Sequence, residues 1–137
     1  MTPAGSRRAL QVAVLLAICV PIGAGGAGVF LGARFTGGDA ATLLQDSHFR
    51  YLSGLLLGIG IAFGLTIPDI ERHASTFRLL TAIVFCGGLA RLLGLFAAGT
   101  PPTPMMFGLA MELCVTPALC FWQNSVARRA KAPATEF

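Results

Sequence analysis

The stretch from Phe77 to Ala98 decides the fold, and it reads FRLLTAIVFCGGLARLLGLFAA. It is long and apolar enough to cross the hydrocarbon core of a bilayer, which takes about 20 residues of helix. Three other segments have the same character, at residues 9–33, 49–67 and 105–122. We therefore predict an all-α fold, a four-helix transmembrane bundle with up-down topology. The spans leave no room for a second domain, so residues 1–137 are predicted to form one membrane domain with a basic tail at 125–137.

The composition excludes most classes of soluble protein. Of the 137 residues, 55% are hydrophobic and 12% are charged, and the mean hydropathy is +0.74. Soluble domains carry about 25% charged residues, so soluble enzymes, disordered proteins and nucleic-acid-binding proteins are poor interpretations. The net charge of +4 does not indicate a nucleic-acid partner, because the basic residues flank apolar segments, where membrane topology places them.

The first apolar segment also has one feature of a targeting signal. Arg7 and Arg8 precede it, as they would in a secretory or twin-arginine signal peptide. Its apolar run is longer than the signal-peptide core of about 7–15 residues, so we predict a retained helix. Pro21 and the glycine cluster Gly23–Gly28 are expected to kink or loosen that helix.

Polar residues and prolines mark the predicted helix ends. Ser47 can cap the second helix and Pro68 ends it, while Asp39 can cap a short surface helix in the first loop. The proline-rich segment at 99–104 cannot be helical, which predicts a tight antiparallel hairpin of the third and fourth helices. Pro117 is expected to kink the fourth helix.

The distribution of basic residues predicts the orientation. Cytoplasmic loops of membrane proteins carry an excess of Lys and Arg. On one side we place Arg7, Arg8, Arg72, Arg78, Arg128, Arg129 and Lys131, and on the other only Arg34 and Arg50. Both termini are therefore predicted to be cytoplasmic.

Two charged residues lie inside the predicted spans. Arg91 is eight residues before Gly99, and Glu112 is eight residues after Pro104. At a rise of about 1.5 Å per residue, both lie about 12 Å below the outer loop on adjacent helices. An unpaired charge at such depth is unfavourable by about 2.5–3.5 kcal/mol. We therefore predict an ion pair between Arg91 and Glu112.

A candidate ligand site surrounds this pair. Arg50 lies at the outer end of the second helix, from which it can extend towards the pair, and Tyr51 can line the mouth of the site. Two arginines and one glutamate leave one surplus positive charge, which suits a carboxylate, a phosphate headgroup or a quinone oxygen. The alternative is a pair that only fixes the packing of the helix hairpin.

Other chemistries find no support in the residue pattern. No two cysteines form a Cys-x-x-Cys motif, and His48 and His73 fall on opposite sides of the predicted membrane. No arrangement of a nucleophile with a base is recognisable. We therefore predict no enzyme, no catalytic residues, no metal site and no cofactor. The motifs Gly54-x-x-x-Gly58 and Gly60-x-x-x-Gly64 indicate helix packing, within the bundle or in a homodimer.

Three motifs resemble those of one known family. They are Phe49-Arg50-Tyr51-Leu52-Ser53-Gly54, Gly87-Gly88-Leu89-Ala90-Arg91-Leu92-Leu93-Gly94 and Met111-Glu112-Leu113. Together they look like the signature of the domain of unknown function 4345 family, whose members are small four-helix bacterial membrane proteins, loosely similar to DoxX-like proteins. The resemblance extends from the end of the first helix to about Trp122. It implies an inner-membrane bundle and no particular activity, and it marks Arg50, Arg91 and Glu112.

The sequence therefore leads to one main functional hypothesis and two alternatives. The main one is a multi-pass protein of the bacterial inner membrane. It binds a small anionic ligand or lipid, or docks a partner, through Arg50, Arg91, Glu112 and Tyr51. The first alternative is an accessory subunit of a larger, quinone-linked membrane complex. The second is a small proton-coupled transporter that acts as a dimer, with Glu112 as the coupling group.

Overall fold

The computed structural model describes residues 3–36, 42–99 and 102–131, and it is helical over 92% of its length. The helices are α1 (Pro3–Leu31), α2 (Leu43–Thr66), α3 (Ala74–Ala98) and α4 (Thr103–Lys131). A 3₁₀ turn, Gly32–Thr36, follows α1. The described residues contain no strand, and all four helices are long and apolar enough to cross a membrane. The predicted all-α fold with four membrane-spanning helices is confirmed.

The helices divide into two compact units. The central unit is Val12–Ile67, which contains most of α1 and all of α2. The terminal unit combines Met1–Gln11 with Pro68–Phe137, so it holds the first turns of α1 together with α3 and α4. Each unit has its own buried residues, and the charge clusters described below lie within one unit or the other.

The start of α2 differs from the prediction. Thr42 is the N-cap, its hydroxyl accepts from the Gln45 backbone N–H at 3.3 Å, and the Gln45 side chain accepts from the Thr42 N–H at 2.8 Å. This reciprocal pair is a capping box, and it starts the helix before Ser47, so the prediction that Ser47 caps α2 is wrong. Asp39, the predicted cap of a surface helix, lies outside the described residues. Helix α2 ends at Thr66, before Pro68, as predicted.

Glycines in the central unit let α1 and α2 approach closely. A Cβ on Gly25 would lie 2.7 Å from the Leu57 backbone nitrogen, so only glycine fits there. A Cβ added at Gly60 would lie 3.0 Å from the Ile22 side chain and one at Gly64 would lie 3.4 Å from the Ile18 side chain, whereas one at Gly58 would meet nothing within 4 Å. The glycine cluster in α1 therefore admits the backbone of α2, and the helix runs unbroken from Pro3 to Leu31.

The terminal unit is built around the turn between α2 and α3. Gln123 on α4 is fully buried, and its side-chain amide donates to the Ile70 carbonyl at 2.7 Å. The Trp122 indole N–H donates to the Ser6 hydroxyl at 3.2 Å, which ties α4 to the start of α1. The apolar core around these bonds consists of Leu10, Ile70, Phe77, Leu80, Val126 and Ala127.

Helix α4 changes its winding in the middle. Its α-helical segments, Thr103–Ala110 and Thr116–Lys131, flank a π-helical turn at Met111–Val115. Pro117 has no N–H to donate, and its ring excludes the carbonyl four residues earlier. The wider turn relieves this conflict, because the Thr116 backbone N–H bonds to the Met111 carbonyl. The distortion predicted near Pro117 is thus a π turn, and it contains Glu112.

Candidate functional site

Arg91 and Glu112 form the predicted ion pair. Arg91 Nε donates to Glu112 Oε2 at 3.1 Å, and Arg91 Nη2 donates to Glu112 Oε1 at 3.0 Å. Both bonds lie in the terminal unit and join α3 to the π turn of α4. Such a two-bond arrangement fixes the orientation of the guanidinium plane as well as its distance from the carboxylate.

Gly88 allows the two helices to come together beside this pair. A Cβ at Gly88 would lie 2.7 Å from Leu113 Cδ2 and 2.9 Å from Glu112 Cβ, both closer than ordinary contact. On the other side of the pair, a Cβ at Gly108 would lie 3.9 Å from Arg91 Cζ. The order of these contacts is consistent with the predicted antiparallel hairpin of α3 and α4.

The two members of the pair differ in exposure. The Arg91 side chain is 37% exposed, whereas the Glu112 side chain is 16% exposed. The Glu112 carboxylate accepts hydrogen bonds from Nε and Nη2 of Arg91. Among the described residues of the terminal unit, Arg91 Nη1 has no hydrogen-bond partner. A guanidinium has five N–H donors. The pair therefore leaves a set of charged donors at the accessible edge of Arg91, held in place by Glu112.

Arg50 has partners that the sequence analysis missed. Its Nε lies 2.8 Å from Asp46 Oδ2, and its Nη1 donates to the carbonyls of Val29 at 2.6 Å and Phe30 at 3.1 Å. Asp46 Oδ1 in turn accepts from the Ala33 backbone N–H at 2.9 Å. The last carbonyls of α1 have no partner within that helix, so Arg50 and Asp46 together close its C-terminal end. We call this arrangement the Arg50 clasp.

The clasp overturns the predicted surplus of positive charge. That count treated Arg50 as unpaired, but Asp46 neutralises it within the central unit. Gly32 is part of the same geometry, because its φ of +65° lies in the left-handed region and a Cβ there would collide with Asp46 and Arg50. The clasp joins the C-terminal end of α1 to the first turns of α2, and its residues are engaged in that role.

Tyr51 follows the clasp in the central unit. Its side chain is exposed, and its ring lies at a tilted angle to His48 with the centroids 6.5 Å apart. The structure thus brings Arg91 and Glu112 together in one unit, while Arg50 and Tyr51 belong to the other. The grouping of all four in a single ligand site stays a prediction. Among the described residues, no cluster of His, Cys, Asp and Glu could hold a metal ion.

The sequence analysis considered Arg7 as a topology marker and as a feature of a targeting signal, yet in the structure it makes the second charge network of the terminal unit. Its Nε lies 2.9 Å from Glu71 Oε2, and its Nη2 donates to the Pro68 carbonyl at 2.7 Å. Asp69 is a weaker partner at 4.0 Å. The signal available in the sequence was the pair of carboxylates directly after Pro68, in a loop otherwise assigned to basic residues.

Comparison with known proteins identifies a family and no characterised relative. No curated protein and no solved structure matches the chain. The family model that matches is a domain of unknown function, DUF4345, and it covers residues 9–123, which include Arg50, Arg91 and Glu112. Because the match spans most of the sequence, the chain belongs to the DUF4345 family.

Proposed function

We propose that this protein is a non-enzymatic integral membrane protein that binds a lipid or a small lipid-soluble ligand at Arg91. In this proposal Arg91 is the hydrogen-bond donor to the ligand, and Glu112 positions it. Charged residues inside membrane spans are rare and usually mark functional sites. The π turn that carries Glu112 supports the same interpretation, because π turns within α-helices occur frequently at functional sites.

One observation carries the proposal. Arg91 is the more exposed member of a two-bond ion pair, and its Nη1 group has no hydrogen-bond partner among the described residues of the terminal unit. A pair that served packing alone would gain most from burying both groups and satisfying all their donors. The remaining donors can instead bind an acceptor oxygen that approaches from the lipid or from a cavity.

The charge balance selects among ligands. Arg91 and Glu112 cancel each other's charge, and Asp46 neutralises Arg50, so neither pair carries a surplus positive charge. A fully anionic ligand would leave one uncompensated negative charge in a low-dielectric region, which is unfavourable. A carbonyl oxygen, as in a lipid ester or a quinone, accepts the same hydrogen bonds without that penalty. The balance therefore favours a neutral acceptor over the anion expected from the sequence.

The orientation and location belong to this proposal. We place both termini in the cytoplasm of a bacterial cell, with the four helices spanning its inner membrane. The support is the excess of arginine and lysine at the end of the terminal unit that carries Arg7 and Arg129. Arg91 then lies towards the outer leaflet.

A second candidate function is that of a subunit in a larger membrane complex or a homo-oligomer. Gly87 and Gly94 lie on α3, are exposed, and have nothing within 4 Å of an added Cβ. Exposed small residues one or two helical turns apart permit another transmembrane helix to pack closely. Cross-linking of the full chain in native membranes tests this candidate, and a purely monomeric product would contradict it.

The ligand proposal is tested by mass spectrometry of what copurifies with the full chain from native membranes. The variant Arg91→Met/Glu112→Leu removes both charges, so neither is left unpaired in the bilayer. The matched control is Arg78→Gln, which removes an exposed arginine from the same helix. We expect a ligand with an acceptor oxygen in the wild type and in the control. In the double variant its amount should fall at least about tenfold, as for loss of a charge-assisted hydrogen bond.

Two results would overturn the proposal. One is an equal ligand content in all three preparations, which would place the binding elsewhere. The other is a wild-type preparation with no ligand above the level found in an unrelated membrane protein purified in parallel. Circular dichroism of each preparation establishes that the helices are intact before the comparison is made.

A further inference from the structure

The terminal unit contains a cavity whose lining does not include Arg91. Its volume is about 210 Å³, and it lies between the first turns of α1, the turn before α3 and the last turns of α4. It is lined by Ala4, Ser6, Arg7, Glu71, Val126, Arg129 and Ala130. All of these residues belong to one compact unit. The lining therefore combines two arginines and a glutamate with a serine and three small or apolar residues.

The charges on the lining do not cancel. Glu71 is committed to Arg7, with 2.9 Å between Oε2 and Nε, and Arg7 is held further by the Pro68 carbonyl. Arg129 is exposed and has no ion-pair partner among the described residues. Among the described residues, Arg129 is therefore the charged side chain of the lining that is left without an ion-pair partner, whereas Arg7 is paired with Glu71 and, at 4.0 Å, with Asp69.

The neighbouring residues add to this positive potential. Arg8, Arg128 and Lys131 are exposed, and none of them has a carboxylate partner in the described part of the chain. Each basic residue near a membrane surface adds about 1 kcal/mol of attraction for anionic lipid. These three residues concentrate anions near the surface, and the cavity provides a defined place for one of them.

The size of the cavity restricts the group that it can hold. Pockets for drug-sized ligands are about 300–1,000 Å³, so this cavity is smaller than a typical pocket of that kind. A volume of about 210 Å³ therefore suits a group of phosphate or glycerophosphate size. Basic pockets between transmembrane helices commonly bind the headgroups of anionic lipids.

We propose that this cavity binds a phosphate group, with Arg129 as its main donor and an anionic lipid headgroup as its source. Arg7, which is paired with Glu71 and donates to the Pro68 carbonyl, also lines the site. Ser6 contributes a hydroxyl that accepts from Trp122 and keeps its own proton available to donate. The site is independent of the one proposed at Arg91, because the two share no residue and differ in ligand charge.

The chain offers a matched pair of variants for the test. Arg129→Gln and Arg128→Gln remove the same charge from adjacent exposed positions, but only Arg129 lines the cavity. The full chain is reconstituted in nanodiscs of phosphatidylcholine with a minor fraction of phosphatidylglycerol, and the retained lipid is counted by native mass spectrometry. We expect Arg129→Gln to lower phosphatidylglycerol retention by about tenfold or more. Arg128→Gln should lower it by about fivefold or less.

A third variant separates the cavity from the charge. Ala130→Leu fills the space and leaves every charge in place, so it should reduce phosphatidylglycerol retention as Arg129→Gln does. Competition with inorganic phosphate identifies the source. Displacement of lipid at equal concentration assigns the site to free phosphate, and persistence of the lipid assigns it to the headgroup.

Three outcomes overturn the proposal. Equal losses for Arg128→Gln and Arg129→Gln would mean that only the general surface charge attracts lipid. Unchanged retention in Ala130→Leu would mean that the cavity is not used. Equal retention of phosphatidylglycerol and phosphatidylcholine by the wild type, relative to their fractions in the nanodisc, would mean that the cavity does not select an anionic headgroup, since both lipids carry a phosphate.

Discussion

Replacing Gly88 with alanine tests the close contact that brings α3 and α4 together beside the ion pair. The added Cβ would lie 2.9 Å from Glu112 Cβ, which must move out to the 3.4 Å of ordinary contact, and Leu113 Cδ2 at 2.7 Å must move further. Overpacking of this kind typically destabilises a protein by about 1–3 kcal/mol. Part of that loss is offset by the helix preference of alanine over glycine, about 1 kcal/mol. We expect a net destabilisation of about 0–2 kcal/mol, with the upper end reached if the α3 and α4 backbones cannot shift.

The neighbouring glycine is the control. Gly87 has nothing within 4 Å of an added Cβ, so Gly87→Ala gains helix preference without a clash and should be neutral or stabilising by up to about 1 kcal/mol. The assay is equilibrium unfolding of the full chain in mixed detergent–SDS micelles. The fluorescence of Trp122, the single tryptophan, reports the transition from within α4.

The directions in which the two variants shift the unfolding midpoint test the predicted close contact at Gly88. Gly88→Ala should shift the unfolding midpoint to lower SDS, and Gly87→Ala should leave it unchanged or raise it. Equal shifts in both variants would refute the reasoning, because they would mean that Gly88 tolerates a methyl group as well as an open position does. A stabilising effect of Gly88→Ala would refute it as well.

Three further predictions concern the charged pair and the glycines of the central unit. The variant Glu112→Leu should destabilise the chain by about 2–3 kcal/mol, because Arg91 is then unpaired in the bilayer. The double variant Arg91→Met/Glu112→Leu should recover most of this stability in the same SDS assay. Strictly additive effects of the two substitutions would contradict the pairing. Gly32→Ala should cost about 1–3 kcal/mol, since a positive φ and a collision both oppose the methyl group, and a thermal midpoint equal to wild type would exclude that strain. Gly25→Ala should be clearly destabilising, because a backbone nitrogen lies 2.7 Å from the added Cβ, whereas Gly26→Ala should not be, because nothing lies within 4 Å of its Cβ. Indistinguishable melting curves of the two variants would contradict the close approach of α1 and α2.

Hydropathy and depth were sufficient to predict the fold class and the ion pair. Four apolar segments of spanning length leave few alternatives in lipid, because every backbone polar group must bond within its own helix. Arg91 and Glu112 lie at equal distances from one loop, and pairing relieves the penalty of burying either charge. Both inferences depend only on the positions of residues along the chain, and these positions are read directly from the sequence.

The partners of Arg50 and Arg7 could not be predicted in the same way. Asp46 faces Arg50 because the capping box at Thr42 starts α2 early and places the two residues one helical turn apart. Glu71 meets Arg7 through the fold of a turn, and its sequence separation from Arg7 carries no information about their distance. Interactions that depend on where a helix begins, or on the shape of a turn, require the three-dimensional structure.

The π turn in α4 has a consequence for how this helix can vary. A π turn is equivalent to one extra residue inserted into an α-helix. Each residue after it therefore points about 100° away from the direction it would have in an uninterrupted α-helix. Gln123 and Val126 reach the core of the terminal unit only with that offset in place. Deletion of one residue between Met111 and Val115 would therefore turn the basic end of α4 to a new face, although the remaining side chains of the chain would be chemically unchanged. The length of this short segment thus determines which way the basic end of α4 faces.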